Sequence, residues 1–258
     1  MTMHAPHDTK TPRRPRGVFV LGLLAVIGAA VFAGFIALGI WQVHRRAWKH
    51  DLVARVDARI HAEPVIAPGR DRWPAVTAAN DEYRRVKLTG TFAPEKSVRV
   101  RASTELGAGS WLLTPMRTQD GSEVIVNRGF VATMWCGGKA ICASGPTGET
   151  TVVGLLRISE PKGAFLQAND PAHDRWYSRD VAAIAAAKGL DATAPYFVDA
   201  DAASSPGRDG SDGPVGGLTV IAFPDNHLMY ALTWFGLALM TLFGGWIVWK
   251  DERKKRRD

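Results

Sequence analysis

Nowhere in this 258-residue chain is there a G-x-x-x-x-G-K-[ST] phosphate loop, a G-x-S-x-G nucleophile elbow or an H-E-x-x-H zinc helix. Their absence excludes the P-loop, α/β-hydrolase and zincin chemistries on motif grounds. Carboxylates are abundant, yet no pair is spaced for acid–base work, and the chain does not read as an enzyme. Cysteine is also scarce. Cys136 and Cys142, both in "WCGGKAICASG", are the only two. An even count at short spacing suggests a disulfide closing a small loop in an oxidising compartment. The competing reading is a copper site with Met134 as a soft third ligand, but no histidine lies nearby.

Negative charge is in short supply too, since 32 Lys and Arg stand against 25 Asp and Glu, a formal net charge of +7. Nucleic-acid binding is not needed to explain this, because much of the excess flanks two apolar runs. Val18 to Ile40 holds about 23 residues without a charge and Leu228 to Trp249 about 22, each long enough to cross a hydrocarbon core of about 30 Å. Trp41, Trp48, Tyr230, Trp246 and Trp249 gather near the ends of the runs, as an interfacial belt requires. A cleaved signal peptide is the rival reading of the first run, whose length exceeds the usual apolar region of about 7–15 residues.

Basic residues set the orientation. Lys10, Arg13, Arg14 and Arg16 precede the first run, and "KDERKKRRD" follows the second. The resulting organisation is a cytoplasmic tail (1–17), a transmembrane helix (18–41), a periplasmic domain (42–226) with a flexible loop at 201–217, a second transmembrane helix (227–249) and a basic cytoplasmic tail (250–258). The expected location is a bacterial cell inner membrane.

Between the spans, "RVKLTGTF", "KSVRVRAS", "WLLTPMRT", "EVIVNRGFV", "TVVGLLRIS", "YFVDA" and "LTVIAF" read as short strands. Asp120-Gly121 marks a hairpin. One helix is predicted over "RDVAAIAAAK", capped by Ser178 and stopped by Gly189. The expected class is an α+β domain on an antiparallel sheet or small open barrel.

The chemistry gathers at the outer helix ends. Trp41, Arg45, Trp48 and Lys49 share a helical face, with His44 their neighbour. A headgroup belt accounts for these residue types but not for Gln42. On the second span His227, Tyr230, Thr233 or Trp234, and Leu237 share a face. His227 is either a helix-start residue paired with water or a metal ligand through a neutral imidazole nitrogen. Set opposite the Trp41–Lys49 face, it would complete a pocket suited to haem, with aromatic walls and a guanidinium for the propionates.

Four stretches, "GIWQVHRRAWK", "EYRRVKLTGTF", "VNRGFV" and "NHLMYALTWFGLAL", resemble the surfeit locus protein 1 family in order and two-span topology, from the first span to the last. The resemblance implies a non-enzymatic assembly factor for haem-copper cytochrome c oxidase. It would bind haem a and aid its insertion into the large oxidase subunit, with haem a synthase as a possible further partner. It carries the family's second-span histidine onto His227 and its tryptophan onto Trp234. Tyr230 and Trp41 become pocket walls, Arg45 a propionate partner and His44 a candidate second ligand. The glycine of "NRG" falls on Gly129, where hairpin geometry excludes a side chain. Phe130, Val131 and Ala132 depart from the family's pattern, as does the Cys136–Cys142 loop. The alternative is a scaffold that holds an oxidase intermediate without haem, its Trp and His residues serving contacts between spans.

Overall fold

A computed structural model describes residues 17–138, 146–164, 166–219 and 225–257. The chain divides into two units, Met1–Leu52 with Phe223–Asp258, and Val53–Ala222.

The first unit is helical. Helix α1 (Val18–His61) begins in it, and α4 (His227–Lys255) supplies the rest. Both are long and apolar enough to cross a membrane, and only 0% and 11% of their most apolar windows are buried, so neither is the core helix of a globular domain. The chain is a membrane protein. Burial recurs along both helices with a period of seven. On α1 the less exposed positions up to Lys49 are Leu21, Gly28, Phe35, Gln42 and Lys49, with Phe32, Gly39 and Arg46 between them and Ile36 beside Phe35. On α4 they include His227, Trp234, Thr241 and Val248, with Ala231 and Ala238 between and Glu252 beyond, while Phe235, Gly236 and Leu237 are part-buried as well. A seven-residue repeat is the seam of two helices wound about each other. Small residues let the backbones approach: a Cβ on Gly39 would lie 2.5 Å from the Phe235 ring. The hydroxyls of Thr233 and Thr241 donate to the carbonyls of Met229 and Leu237, both at 2.9 Å, which satisfies them where water is absent.

The second unit is a barrel. Its strands are β1 (Val65–Ile66), β2 (Arg85–Phe92), β3 (Val98–Thr104), β4 (Gly107–Thr118), β5 (Glu123–Ala132), β6 (Glu149–Ile158) and β7 (Thr193–Ala200). Among the described residues they form one seven-stranded sheet in the order β1-β2-β6-β7-β5-β4-β3. β2 turns from β6 to pair also with β4, through Gly90–Thr118, Thr91–Arg117 and Phe92–Met116. That pairing closes β2, β6, β7, β5 and β4 into a ring, so the expected open barrel is closed, and β5 and β7 run parallel. Val86, Leu88, Phe92, Met116, Val126, Leu156, Tyr196 and Val198 fill the interior. Besides the four-residue α2 (Ala78–Asp81), the unit contains α3 (Val181–Lys188), which packs Val181 and Ile184 on Phe197, Ile125 and Leu113 outside the ring. From Tyr196 to Ala200 β7 is therefore buried on both faces.

Asp180, rather than the expected Ser178, caps α3 by accepting from Ala183 N at 3.1 Å. The Ser178 hydroxyl instead accepts from Gly163 N and Asn169 Nδ2, each at 3.0 Å. Gly189 ends the helix at φ +60°. The "LTVIAF" strand falls largely on residues outside those described.

The β4–β5 hairpin turns at Asp120-Gly121. Hydrogen bonds from the hydroxyls of Thr118 and Ser122, then from Ser122 N–H, hold the Asp120 carboxyl down from the ordinary 3.8 to about 2. A depressed carboxyl contributes stability that is complete above its unfolded value of about 3.9 and disappears as pH falls towards the folded one. Thermal unfolding of Asp120→Asn should therefore vary less with pH than that of the natural chain between about pH 4 and 2. Parallel curves would contradict this role.

Candidate functional site

At the start of α4, His227 Nδ1 lies 2.7 Å from Oε1 of Gln42 on α1. Gln42 is buried, and His227 is part-buried. One seam layer along, Trp234 stacks on Phe35 with ring centroids 5.7 Å apart and planes at 27°. Asn226, the N-cap, makes no side-chain cap bond. Asp225 does that work, since its Oδ1 accepts from His227 N at 3.0 Å. Its Oδ2 lies 2.9 Å from His50 Nε2 and 3.6 Å from Arg46 Nε. The backbone bond from His227, then His50, holds the Asp225 carboxyl below the usual carboxylate range.

The predicted site residues separate into two groups. His227 and Trp234 lie in the seam. Trp41 and Tyr230 do not, each being 56% exposed. Helical geometry explains why. At roughly 100° per residue Ala231 and Trp234 flank the direction of His227, whereas Tyr230 turns about 60° from it. Trp41, Arg45 and Trp48 likewise turn roughly 60–120° from Gln42, and only Lys49 shares its side. Arg45 is exposed and stacks on Trp48 at 4.2 Å. His44 is exposed. Gln42, the residue a headgroup belt left unexplained, is thus the one that meets His227.

Cys136 is disulfide-bonded, so its sulfur is no thiolate for copper, and Met134 is 75% exposed. Cys142 lies outside the described residues. Among those described, no three His, Cys, Asp or Glu side chains gather as a metal site.

Sequence spacing missed a charged cluster in the barrel unit. Asp199 on β7 is 4% exposed. It accepts from Asn127 Nδ2 at 2.7 Å, Thr219 Oγ1 at 2.9 Å, Arg157 Nη1 at 3.0 Å and Arg179 Nη1 at 3.2 Å. Arg157 also meets Glu82 at 3.3 Å, and Arg179 meets Glu160 at 2.5 Å. Burial opposes the Arg179 charge, but Asp199 and Glu160 outweigh it and hold that guanidinium above its ordinary pKa. Asn127 Oδ1 accepts from Gly129 N at 3.1 Å, so the "NRG" turn is tied to the same cluster. Gly129 itself has φ +121°, and a Cβ there would lie 2.0 Å from Val215 O. "EYRR" and "VNRG" thus contribute Glu82 and Asn127 to one network. The only sequence signal was an acid inside the apolar "YFVDA".

Residues 29–239 match the model of the SURF1 family. The chain belongs to the SURF1 family. It is 34% identical to surfeit locus protein 1 of Mus musculus over 92% of this chain and 78% of that one. Against the Homo sapiens protein of the same name the identity is 32%, over 87% and 76%. A SURF1-like protein of Caenorhabditis briggsae is 28% identical over 96% and 80%. The matched span of this SURF1-family chain includes His227, Gln42, Asp199 and Gly129.

Proposed function

We propose that this chain is a membrane-bound assembly factor for haem-copper cytochrome c oxidase that holds haem a as cargo near the start of α4 and aids its transfer to the large oxidase subunit. The contact between His227 and Gln42 carries the reading. A histidine serving only as a helix start needs no partner from the facing helix, whereas a ligating imidazole needs its other nitrogen held. Among the described residues His227 would hold the haem iron through its imidazole. When bound, haem supplies an iron for that imidazole and carboxylates for a guanidinium such as Arg45. Trp234 stiffens the seam beside the ligand. Trp41 and Tyr230, facing outward, would meet the macrocycle only on the open flanks of the helix pair.

The role is binding and hand-over, not catalysis, and haem a synthase is the partner that would supply the cargo. The setting is a cell inner membrane. Both termini would be cytoplasmic and the barrel periplasmic, which the basic end of α4 supports. There Arg253 stacks on Trp249 at 4.9 Å and Lys250 on Trp246 at 5.1 Å, suiting a headgroup layer.

The test is an optical spectrum of the purified chain from cells that make haem a, beside His227→Ala. The natural chain should show a Soret band and a reduced α band, and the variant should lose at least about tenfold of the pigment, as loss of a ligand requires. The exposed Trp41 and Tyr230 favour a second reading, a haem-free scaffold presenting aromatic faces to an oxidase intermediate. Absence of pigment from both proteins, with oxidase assembly still dependent on the chain, would select it.

A further inference from the structure

Gln42 turns its carboxamide oxygen, which only accepts hydrogen bonds, to within 2.7 Å of His227 Nδ1, and in that orientation the imidazole donates. In a neutral ring Nε2 is then the lone-pair nitrogen. We propose that Gln42 is a positioning residue that holds His227 as its Nδ1–H tautomer and so makes Nε2 the atom that ligates iron, an inference that rests on the haem reading above.

The surroundings of Gln42 suit this task. It is 9% exposed, in the seam of a continuous helix, one turn past the close approach of Gly39 to Phe235. An apolar side chain would serve that seam position better for packing alone. A buried amide without a partner is destabilising, and the bond to His227 offsets that cost. His227 is held from a second direction as well. Its backbone N–H is bound by Asp225, which is itself held from α1 by His50 and Arg46. Main chain and Nδ1 are therefore both fixed, and the ring cannot turn Nε2 towards α1 without breaking the Gln42 bond. A histidine hydrated at a helix start would have no such bias between its nitrogens.

The experiment is a long-range 15N–1H correlation spectrum of the full-length chain in detergent, labelled at histidine, with His227 assigned from the His227→Ala spectrum. It is repeated for Gln42→Leu, which keeps the seam apolar, and for Gln42→Glu, which keeps an acceptor. Protonated Nδ1 and lone-pair Nε2 in the natural chain and the Glu variant, with an Nε2–H population gained in the Leu variant, is the expected result. An Nε2–H tautomer in the natural chain, or no change in Gln42→Leu, overturns the proposal. The same three proteins are then purified from cells that make haem a. Pigment retention should fall roughly 10–100-fold in Gln42→Leu and recover in Gln42→Glu, the usual scale for losing a ligand's hydrogen-bond partner. Full retention in Gln42→Leu overturns the positioning role and leaves His227 as ligand. A colourless natural chain overturns the haem reading, and the role of Gln42 falls with it whatever the tautomer.

Discussion

Gly129→Ala should lower the unfolding temperature of the barrel unit by on the order of 10 °C and loosen the segment that follows β7. Two costs combine. At φ +121° an alanine is held in a backbone region it rarely adopts, worth about 1–3 kcal/mol. The added Cβ would also lie 2.0 Å from Val215 O, a backbone atom that cannot swing away as a side chain can. Relief requires Val215 to retreat, yet it is bonded to Phe130 in both directions at 2.9 Å. Further bonds tie the same segment down, from Ala132 N to Gly210 O and from Gly216 N to Ser205 O, both at 2.9 Å. Together strain and lost bonds come to about 3–5 kcal/mol, which for a unit of this size is the stated shift. Exposed Arg208 lies within the segment, so limited trypsin digestion provides an independent reading. Cleavage there should become faster in the variant. Unchanged melting and unchanged cleavage would show that the close approach to Val215 O does not constrain this glycine.

Asp199→Ala should cost about as much for a different reason. Removing one member of a buried ionic cluster leaves the others charged, desolvated and unpaired, typically about 3–5 kcal/mol. Here the orphans are Arg157 and Arg179, at 12% and 14% side-chain exposure. Glu82 and Glu160 still face them, which places the expected loss towards the lower end. Asn127 would lose its partner too, and with it one anchor of the Gly129 turn. Thermal unfolding of the full chain followed by tryptophan fluorescence measures the loss. Combining Asp199→Leu with Arg179→Met should recover part of it, because an apolar pair of similar volume carries no desolvation penalty. If the double variant melts as low as Asp199→Ala, packing rather than charge sets the cost.

Both sites illustrate what was legible. Gly129 was identified through a motif, but the reason it must be glycine is a carbonyl some eighty-six positions away in sequence, Val215. The polar composition of 201–217 led to the expectation of a flexible loop, yet backbone bonds to β5 do not depend on composition and left no trace in it. Asp199 was hidden because alternation along a strand assumes one wet face, and β7 has none from Tyr196 to Ala200. α3 covers one side and the barrel interior takes the other. Gln42 was visible only as the residue that a headgroup belt failed to explain.

Local signals were enough for the elements themselves. β2 runs from Arg85 to Phe92 as its alternation indicates, the hairpin turns at Asp120-Gly121, and α3 stops at Gly189. Two apolar runs of membrane length were equally plain. These depend on neighbours in the chain, which a sequence states directly. Tertiary structure alone decided that β2 also pairs with β4 and closes the barrel, because partner exchange is a contact between distant strands. It also decided which helix faces meet. Spacings of three and four residues place both Tyr230 and Ala231 near His227, and the packing of α1 decided that Ala231 is buried while Tyr230, turned further round the helix, stays exposed.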